Sequence, residues 1–115
     1  LSFAPGVATP SDMEVAIEMG CRVLKFFPAE PSGGLPYLRS AAAPYLHLGL
    51  EFIPLGGINA QNAGMYLADP LIAAVGGSWI APRKLIAQQD WDTVRANASQ
   101  AVQLARTARG GGQSV

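Results

Sequence analysis

An α/β fold of parallel strands is what the sequence predicts, on three observations. Short apolar runs at Leu1–Ala4, Arg22–Phe27, Leu50–Pro54 and Leu71–Val75 alternate with stretches of helical periodicity. Each run stops at a glycine or proline turn, and glycine pairs follow the last two runs directly. Strands alternating with helices imply βαβ units and right-handed crossovers. About four such units make half of an eight-stranded barrel, or a small open sheet.

In chain order, Leu1–Ala4 reads as a strand stopped by Pro5-Gly6. Ser11-Asp12-Met13-Glu14 carries a capping-box pattern, and Met13, Ala16, Ile17 and Gly20 follow at helical spacing. A helix is therefore expected from about Asp12 to Met19, ending at Gly20, with Met13, Ile17 and Met19 in the core. The second strand is broken by Pro28. Residues 31–36 read as a Pro/Ser/Gly loop containing Gly33-Gly34, and a helix over Tyr37–Ala43 ends before Pro44. After the Leu50–Pro54 strand, Leu55-Gly56-Gly57-Ile58 is a glycine turn leading to Asn59, the N-cap of a helix reaching Ala68. Leu71–Val75 is the fourth strand, and it runs into Gly76-Gly77-Ser78-Trp79. Asp90 caps a last helix with Val94, Ala98, Ala101, Val102 and Ala105 on one face and Arg106 and Arg109 near its negative end. Gly110-Gly111-Gly112 stops it, Trp91 is expected to pack it onto the body, and the tail through Val115 is expected to fray.

One lysine stands out. In Arg22-Val23-Leu24-Lys25-Phe26-Phe27-Pro28-Ala29-Glu30, alternation puts Val23, Lys25 and Phe27 on one face and Leu24 and Phe26 on the other. Both faces read as apolar, so the strand reads as covered on both sides. Desolvation there disfavours the charged ammonium and makes free amine available, and free amine attacks carbonyls. The competing reading has Lys25 end the strand and reach back to water.

The totals exclude several functions. The 115 residues suffice for one domain, and the 50% hydrophobic content can supply a core. Eight basic residues balance eight acidic ones, so no electrostatic footprint marks a nucleic acid or an anionic membrane surface. Cys21 is the single cysteine and His47 the single histidine, which rules out an internal disulfide framework and a metal site made from these two alone. Both are expected to serve ordinary packing. No apolar run is long enough to span a bilayer and no charged leader precedes the first residues, so a soluble, cytoplasmic chain is expected. The opening on strand-like residues without an initiator Met points to a piece of a longer polypeptide.

The glycine pairs supply the second half of a site. Gly56-Gly57 and Gly76-Gly77-Ser78 end consecutive strands, where glycine lets an anion approach backbone N–H groups and Ser78 adds a hydroxyl. Tight-turn geometry alone would account for either pair. Two pairs together with a lysine on the preceding strand point to a carbonyl substrate carrying a phosphate.

On these residues the sequence resembles the 2-keto-3-deoxy-6-phosphogluconate aldolases, class I aldolases built as (β/α)8 barrels. The resemblance rests on Pro5-Gly6-Val7-Ala8-Thr9, Leu24-Lys25-Phe26-Phe27-Pro28-Ala29-Glu30 with Gly33-Gly34, Pro54-Leu55-Gly56-Gly57-Ile58 and Val75-Gly76-Gly77-Ser78-Trp79. It covers nearly the whole chain and matches the family's last four βα units, so residues 1–115 are expected to be the C-terminal part of one TIM barrel. It implies that Lys25 is the Schiff-base lysine and that Phe27 and Pro5 line the pyruvate pocket. By the same resemblance, Gly56, Gly57, Gly77 and Ser78 hold the phosphate. Neither metal nor organic cofactor is implied. A homotrimer of the full barrel is.

Two departures qualify the match. The family's general-base glutamate, and the arginine and threonine at the carboxylate end, belong to a first half that this sequence lacks. Glu30 reads as a helix-start or loop carboxylate rather than a substitute. Leu55 replaces the threonine usual before the glycine pair, as in galactonate-type relatives, which leaves the preferred sugar epimer open. The expected function is cleavage of 2-keto-3-deoxy-6-phosphogluconate to pyruvate and glyceraldehyde 3-phosphate. Alternatives are the galactonate epimer or 4-hydroxy-2-oxoglutarate as substrate, a non-catalytic phosphate-binding or assembly fragment, and an isomerase-like barrel in which Lys25 is an electrostatic group.

Overall fold

The computed structural model describes residues 1–110. Three parallel strands, β1 (Gly6–Val7), β2 (Val23–Phe26) and β3 (Glu51–Pro54), lie side by side in sequence order. The register pairs Gly6 with Lys25 and Lys25 with Ile53, so Lys25 sits in the central strand. The Leu71–Val75 run lies parallel to β3 but forms only a single bridge, Ile72 to Phe52, among the described residues. It is nevertheless stitched in: Phe52 N–H donates to Leu71 O at 2.7 Å, Ala73 N–H to Phe52 O at 2.9 Å and Gly76 N–H to Pro54 O at 3.2 Å.

Helices fill the connections. Between β1 and β2 lies α1 (Pro10–Glu18); between β2 and β3 lie α2 (Ala29–Ser32), α3 (Gly34–Ala42) and a 3₁₀ turn over Ala43–Leu48. Beyond β3 come α4 (Ala63–Leu67), α5 (Arg83–Ala87) and α6 (Trp91–Ala108). Alternation sends Leu24, Phe26, Phe52 and Pro54 to one face of the sheet, where they are fully buried. Met13 and Ala16 of α1, Leu35 and Leu38 of α3, and Ala63 and Tyr66 of α4 close over them. Each such large apolar side chain contributes roughly 1.5–3 kcal/mol. Tyr37 of α3 stacks on Phe26, with ring centroids 6.1 Å apart, and its hydroxyl donates to Ala8 O at 2.8 Å, tying α3 to the end of β1.

The opposite face is open, which corrects the expectation of two-sided cover. Val23 and Phe27 are exposed and Lys25 and Ile53 are half-buried. Helices α1, α3 and α4 pack on the Leu24–Phe26 side, so the alternation that looked apolar on both faces is buried on one.

Other boundaries also move. Leu1–Ala4 is not a strand: Leu1 and Phe3 are exposed, and pairing begins at Pro5, whose carbonyl accepts the Lys25 N–H at 2.9 Å. The first helix starts two residues early because its capping box is Thr9 with Asp12, not Ser11 with Glu14; the Asp12 N–H donates to the Thr9 hydroxyl and Asp12 Oδ2 accepts the Thr9 N–H. Pro10 then fills the first helical position, where no N–H is needed. Met19 at the helix end is 73% exposed rather than core.

Residues 31–36 are mostly helical rather than loop, because Pro31 and Pro36 fall in first turns whose N–H groups lack helical partners anyway. Asn59 caps a separate turn, its Oδ1 accepting the Gln61 and Asn62 N–H groups, and α4 begins only at Ala63. Cys21 packs against the core, whereas His47 is exposed. Asp90 does cap α6, accepting the Thr93 N–H. Trp91 is 54% exposed and does not pack the helix down. Asn97 and Arg109 tie it instead, Asn97 Nδ2 donating to Ile80 O at 3.1 Å and Arg109 Nη2 to the carbonyls of Ile72 and Ala73. Gly111, Gly112 and the tail lie outside the described residues. Among the described residues no helix is long and apolar enough to cross a membrane.

Candidate active site

The strand ends on one side of the sheet carry the candidate residues. Lys25 is the third residue of β2, fixed on one side by its N–H to Pro5 O and flanked there by Gly6. A Cβ placed on Gly6 would meet nothing within 4 Å, so the strand neighbour leaves space beside the lysine. The Lys25 Nζ lies 5.2 Å from the centre of the Phe27 ring. Among the described residues no carboxylate forms an ion pair with it.

Phe27 connects the lysine to a cleft of about 720 Å³. Leu55, Gly56, Gly57, Gly77 and Ser78 line this cleft with it, and so do Trp79 and Pro82. Six of the eight residues expected to form the site thus share one wall, with Lys25 in contact through Phe27. Pro5 stands one strand away on the far side of Lys25 and is joined to it by backbone alone.

Close packing explains why the turns are glycine. Gly56 and Gly57 have φ of 98° and 82°, in the left-handed region that side chains resist. Gly56 lies against the chain leaving β2: a Cβ there would be 3.0 Å from Pro28 Cα and 3.1 Å from Ala29 N. Two backbone bonds fasten that contact, Ala29 N–H to Leu55 O at 2.8 Å and Glu30 N–H to Gly56 O at 3.0 Å. A Cβ on Gly77 would come 2.9 Å from Ile58 O and 2.4 Å from the Trp79 ring. The two glycine turns are therefore in direct backbone contact, and Leu55 is wedged over Gly76 between them. Among the described residues, the N–H groups of Gly57, Gly77 and Ser78 donate to no protein acceptor. Free N–H groups beside a cleft suit an anion.

Glu30 is in the first turn of α2, as its place in the sequence indicated, and its Oε2 accepts the hydroxyl of Tyr66. Tyr66 is fully buried, and burial, followed by its bond to Glu30, raises its pKa well above the usual phenol value. It remains a donor throughout the working pH range. Tyr66, Trp79 and Pro82 were not singled out as site residues from the sequence. Trp79 could have been, since it completes the Gly-Gly-Ser-Trp turn, whereas nothing local marks Tyr66 as the partner of a residue 36 positions away. No group of three or more His, Cys, Asp or Glu residues able to hold a metal occurs among the described residues.

Known proteins resemble the chain over most of its length. The family model described as KDPG and KHG aldolase matches residues 1–97. A 2-dehydro-3-deoxy-phosphogluconate aldolase of Haemophilus influenzae is 45% identical over 92 residues, covering 80% of this chain and 42% of the relative. Among solved structures, the Legionella pneumophila KDPG aldolase, with pyruvate captured as a covalent carbinolamine, superposes with a TM-score of 0.76 at 38% identity, over 82% of this chain and 45% of that one. The Zymomonas mobilis 2-keto-3-deoxy-6-phosphogluconate aldolase with 3-phosphoglycerate gives 0.76 at 40% identity, over 85% and 44%. The chain spans about half the length of the curated relatives it matches.

Proposed function

The chain belongs to the KDPG and KHG aldolase family, and on that premise we propose that it carries the Schiff-base lysine and phosphate turns of a class I aldolase cleaving 2-keto-3-deoxy-6-phosphogluconate. One observation carries the reading most: Phe27 both stands 5.2 Å from Lys25 Nζ and walls the cleft that the two glycine turns enclose. A keto group at the lysine and a phosphate at the turns would belong to one extended substrate. Catalytic sites of (β/α)8 enzymes lie at the C-terminal ends of their strands, where these groups are.

The chemistry follows from a free amine beside an oriented ketone. Lys25 Nζ adds to C2 of the keto acid, and loss of water from the carbinolamine gives an iminium. As a base removes the C4 hydroxyl proton, the C3–C4 electron pair moves into the iminium and glyceraldehyde 3-phosphate departs. The enamine takes a proton at C3, and water hydrolyses the pyruvate imine to release pyruvate and restore the Lys25 amine. Phe27 and Pro5 shape the pyruvate end; Gly56, Gly57, Gly77 and Ser78 hold the phosphate. No residue of this chain is assigned as the base. Glu30 is engaged by Tyr66.

The same reading makes residues 1–115 the last four βα units of a single barrel, with the remaining units, including the base, supplied by a further segment. The open Lys25 face of the sheet and the coverage of about half of each relative support this. The assembled barrel is proposed to form a homotrimer in the cytoplasm.

Borohydride reduction with pyruvate, followed by intact mass and peptide mapping with Lys25→Ala as control, tests the proposal. A pyruvyl adduct confined to Lys25 is expected. A folded chain with no adduct would reject Schiff-base chemistry and leave a phosphate-binding or assembly role. Leu55 favours a second substrate reading, the galactonate epimer, because an apolar side chain occupies the cleft wall beside the phosphate turns. In the assembled barrel Leu55→Thr should shift the ratio of kcat/KM between epimers; an unchanged ratio removes Leu55 from substrate selection.

A further inference from the structure

We infer that Glu30 and Tyr66 are positioning residues for phosphate binding, acting together as a strut that fixes the Gly56-Gly57 turn; this rests on the reading of that turn as a phosphate site. Four contacts converge on Glu30. Its N–H donates to Gly56 O at 3.0 Å, so its backbone already belongs to the turn. A Cβ built on Gly57 would lie 2.7 Å from Glu30 Cβ and 2.8 Å from Cγ, which places the stem of Glu30 flat against that glycine. Its carboxylate stands over Gly34, where a Cβ would be 2.9 Å from Oε2, and accepts the hydroxyl of Tyr66.

The anchoring end is rigid. Tyr66 is completely buried in the core formed by α4 and the sheet, and its hydroxyl also borders Gly34. A buried phenol without an acceptor is costly, so the pair holds Glu30 in one rotamer. Glu30 is otherwise an exposed side chain with several free torsions. Gly57 forms part of the cleft wall and Glu30 does not. A Glu30 released from Tyr66 would lose its seat behind Gly57, and its negative charge could swing toward a bound phosphate. The strut therefore acts twice, keeping the turn in place and the carboxylate away.

Two readouts on the same protein separate this inference from the reading beneath it: titration with inorganic phosphate, and borohydride trapping of pyruvate at Lys25. Tyr66→Phe and Glu30→Ala are each expected to weaken phosphate binding about tenfold, with trapping at Lys25 unchanged. Glu30→Gln keeps an acceptor of the same length and should bind phosphate within about threefold of the wild type. Wild-type affinity in Tyr66→Phe, a loss in Glu30→Gln as deep as in Glu30→Ala, or parallel loss of trapping in the variants would overturn the strut. A wild type that traps pyruvate but binds no phosphate removes the phosphate reading and the strut with it. If the wild type fails to trap pyruvate while phosphate binding still depends on Tyr66, the Schiff-base reading fails and the strut stands.

Discussion

The Nζ of Lys25 lies 5.2 Å from the centre of the Phe27 ring, two residues along the same face. That face of β2 is uncovered, and the Phe27 ring stands between the lysine and the cleft wall it helps to form. An aromatic face favours a cation above it by about 0.5–1 kcal/mol at a partly exposed position. The iminium formed with pyruvate is a cation whereas the attacking amine is neutral, so at alkaline pH, where free amine is the reactant, the ring stabilises the product alone. Phe27→Leu keeps an apolar wall and removes the ring, so at alkaline pH the equilibrium yield of reducible adduct at subsaturating pyruvate should fall about two- to fivefold. Adduct yield as a function of pyruvate concentration checks this, and an unchanged curve would reduce Phe27 to a steric wall.

Glycine is required at some turns and replaceable elsewhere. Ala at Gly77 would drive a methyl to 2.9 Å from Ile58 O and into the Trp79 ring, forcing the two glycine turns apart. Overpacking of this kind costs about 1–3 kcal/mol, and phosphate affinity should fall with it. Gly64, inside α4, has open space around it and no left-handed backbone, so Gly64→Ala should stabilise the chain by about 0.5–1 kcal/mol and leave phosphate binding alone. Urea midpoints paired with phosphate titrations distinguish the two. Equal effects from both substitutions would mean the contact at Gly77 relaxes without consequence.

The features read correctly from sequence were those fixed by local chemistry. The Lys25 strand, the alternation of parallel strands with helices, the Asp90 cap and the grouping of the two glycine turns all follow from short-range patterns, whereas α2 and α5 were not read from the sequence. What sequence could not show was which face of β2 is covered. Val23 and Phe27 are as apolar as Leu24 and Phe26, and the difference lies in where α1, α3 and α4 pack. The proline-rich stretch misled for a related reason. Pro31 and Pro36 look like helix breakers, but each sits in a first helical turn, a position that depends on where the turn begins. Leu1–Ala4 was read as a strand and Trp91 as packing α6 onto the body, both on hydrophobicity, yet Leu1, Phe3 and Trp91 are exposed.

Arg109 ends α6 and reaches across to the carbonyls of Ile72 and Ala73, the segment that bridges to β3. Trp91 is exposed at the other end of the helix, so this bond and those of Asn97 orient α6. Charge-assisted bonds to two backbone carbonyls at a partly exposed site should be worth about 1–2 kcal/mol. Arg109→Ala is expected to lower stability by that amount, and Arg109→Lys to restore less than half because a lysine lacks the forked donors. Chemical denaturation of the three proteins measures it. Wild-type stability in Arg109→Ala would show that apolar contact alone seats the helix.

Strong acid is expected to weaken the cap of α1. Asp12 accepts the N–H groups of Ala8 at 2.9 Å and Thr9 at 3.0 Å, and these bonds, Ala8 first, hold its pKa below the ordinary 3.8. A carboxyl whose pKa is depressed on folding adds stability that is fully present above its unfolded-state value. That stability is lost as pH falls through the folded-state value. The contribution of Asp12 is therefore complete at neutral pH, begins to fall near about pH 4 and is gone once pH lies below the folded-state value. Asp12→Asn cannot gain from ionisation, so it should be less stable than the wild type at pH 7, with the gap closing as both are titrated toward pH 2. Because Asp12 is exposed, the gap will be modest. Urea midpoints for both proteins across this range give the answer: converging curves support the cap as the acid-sensitive element, and parallel curves would place the acid response elsewhere in the chain.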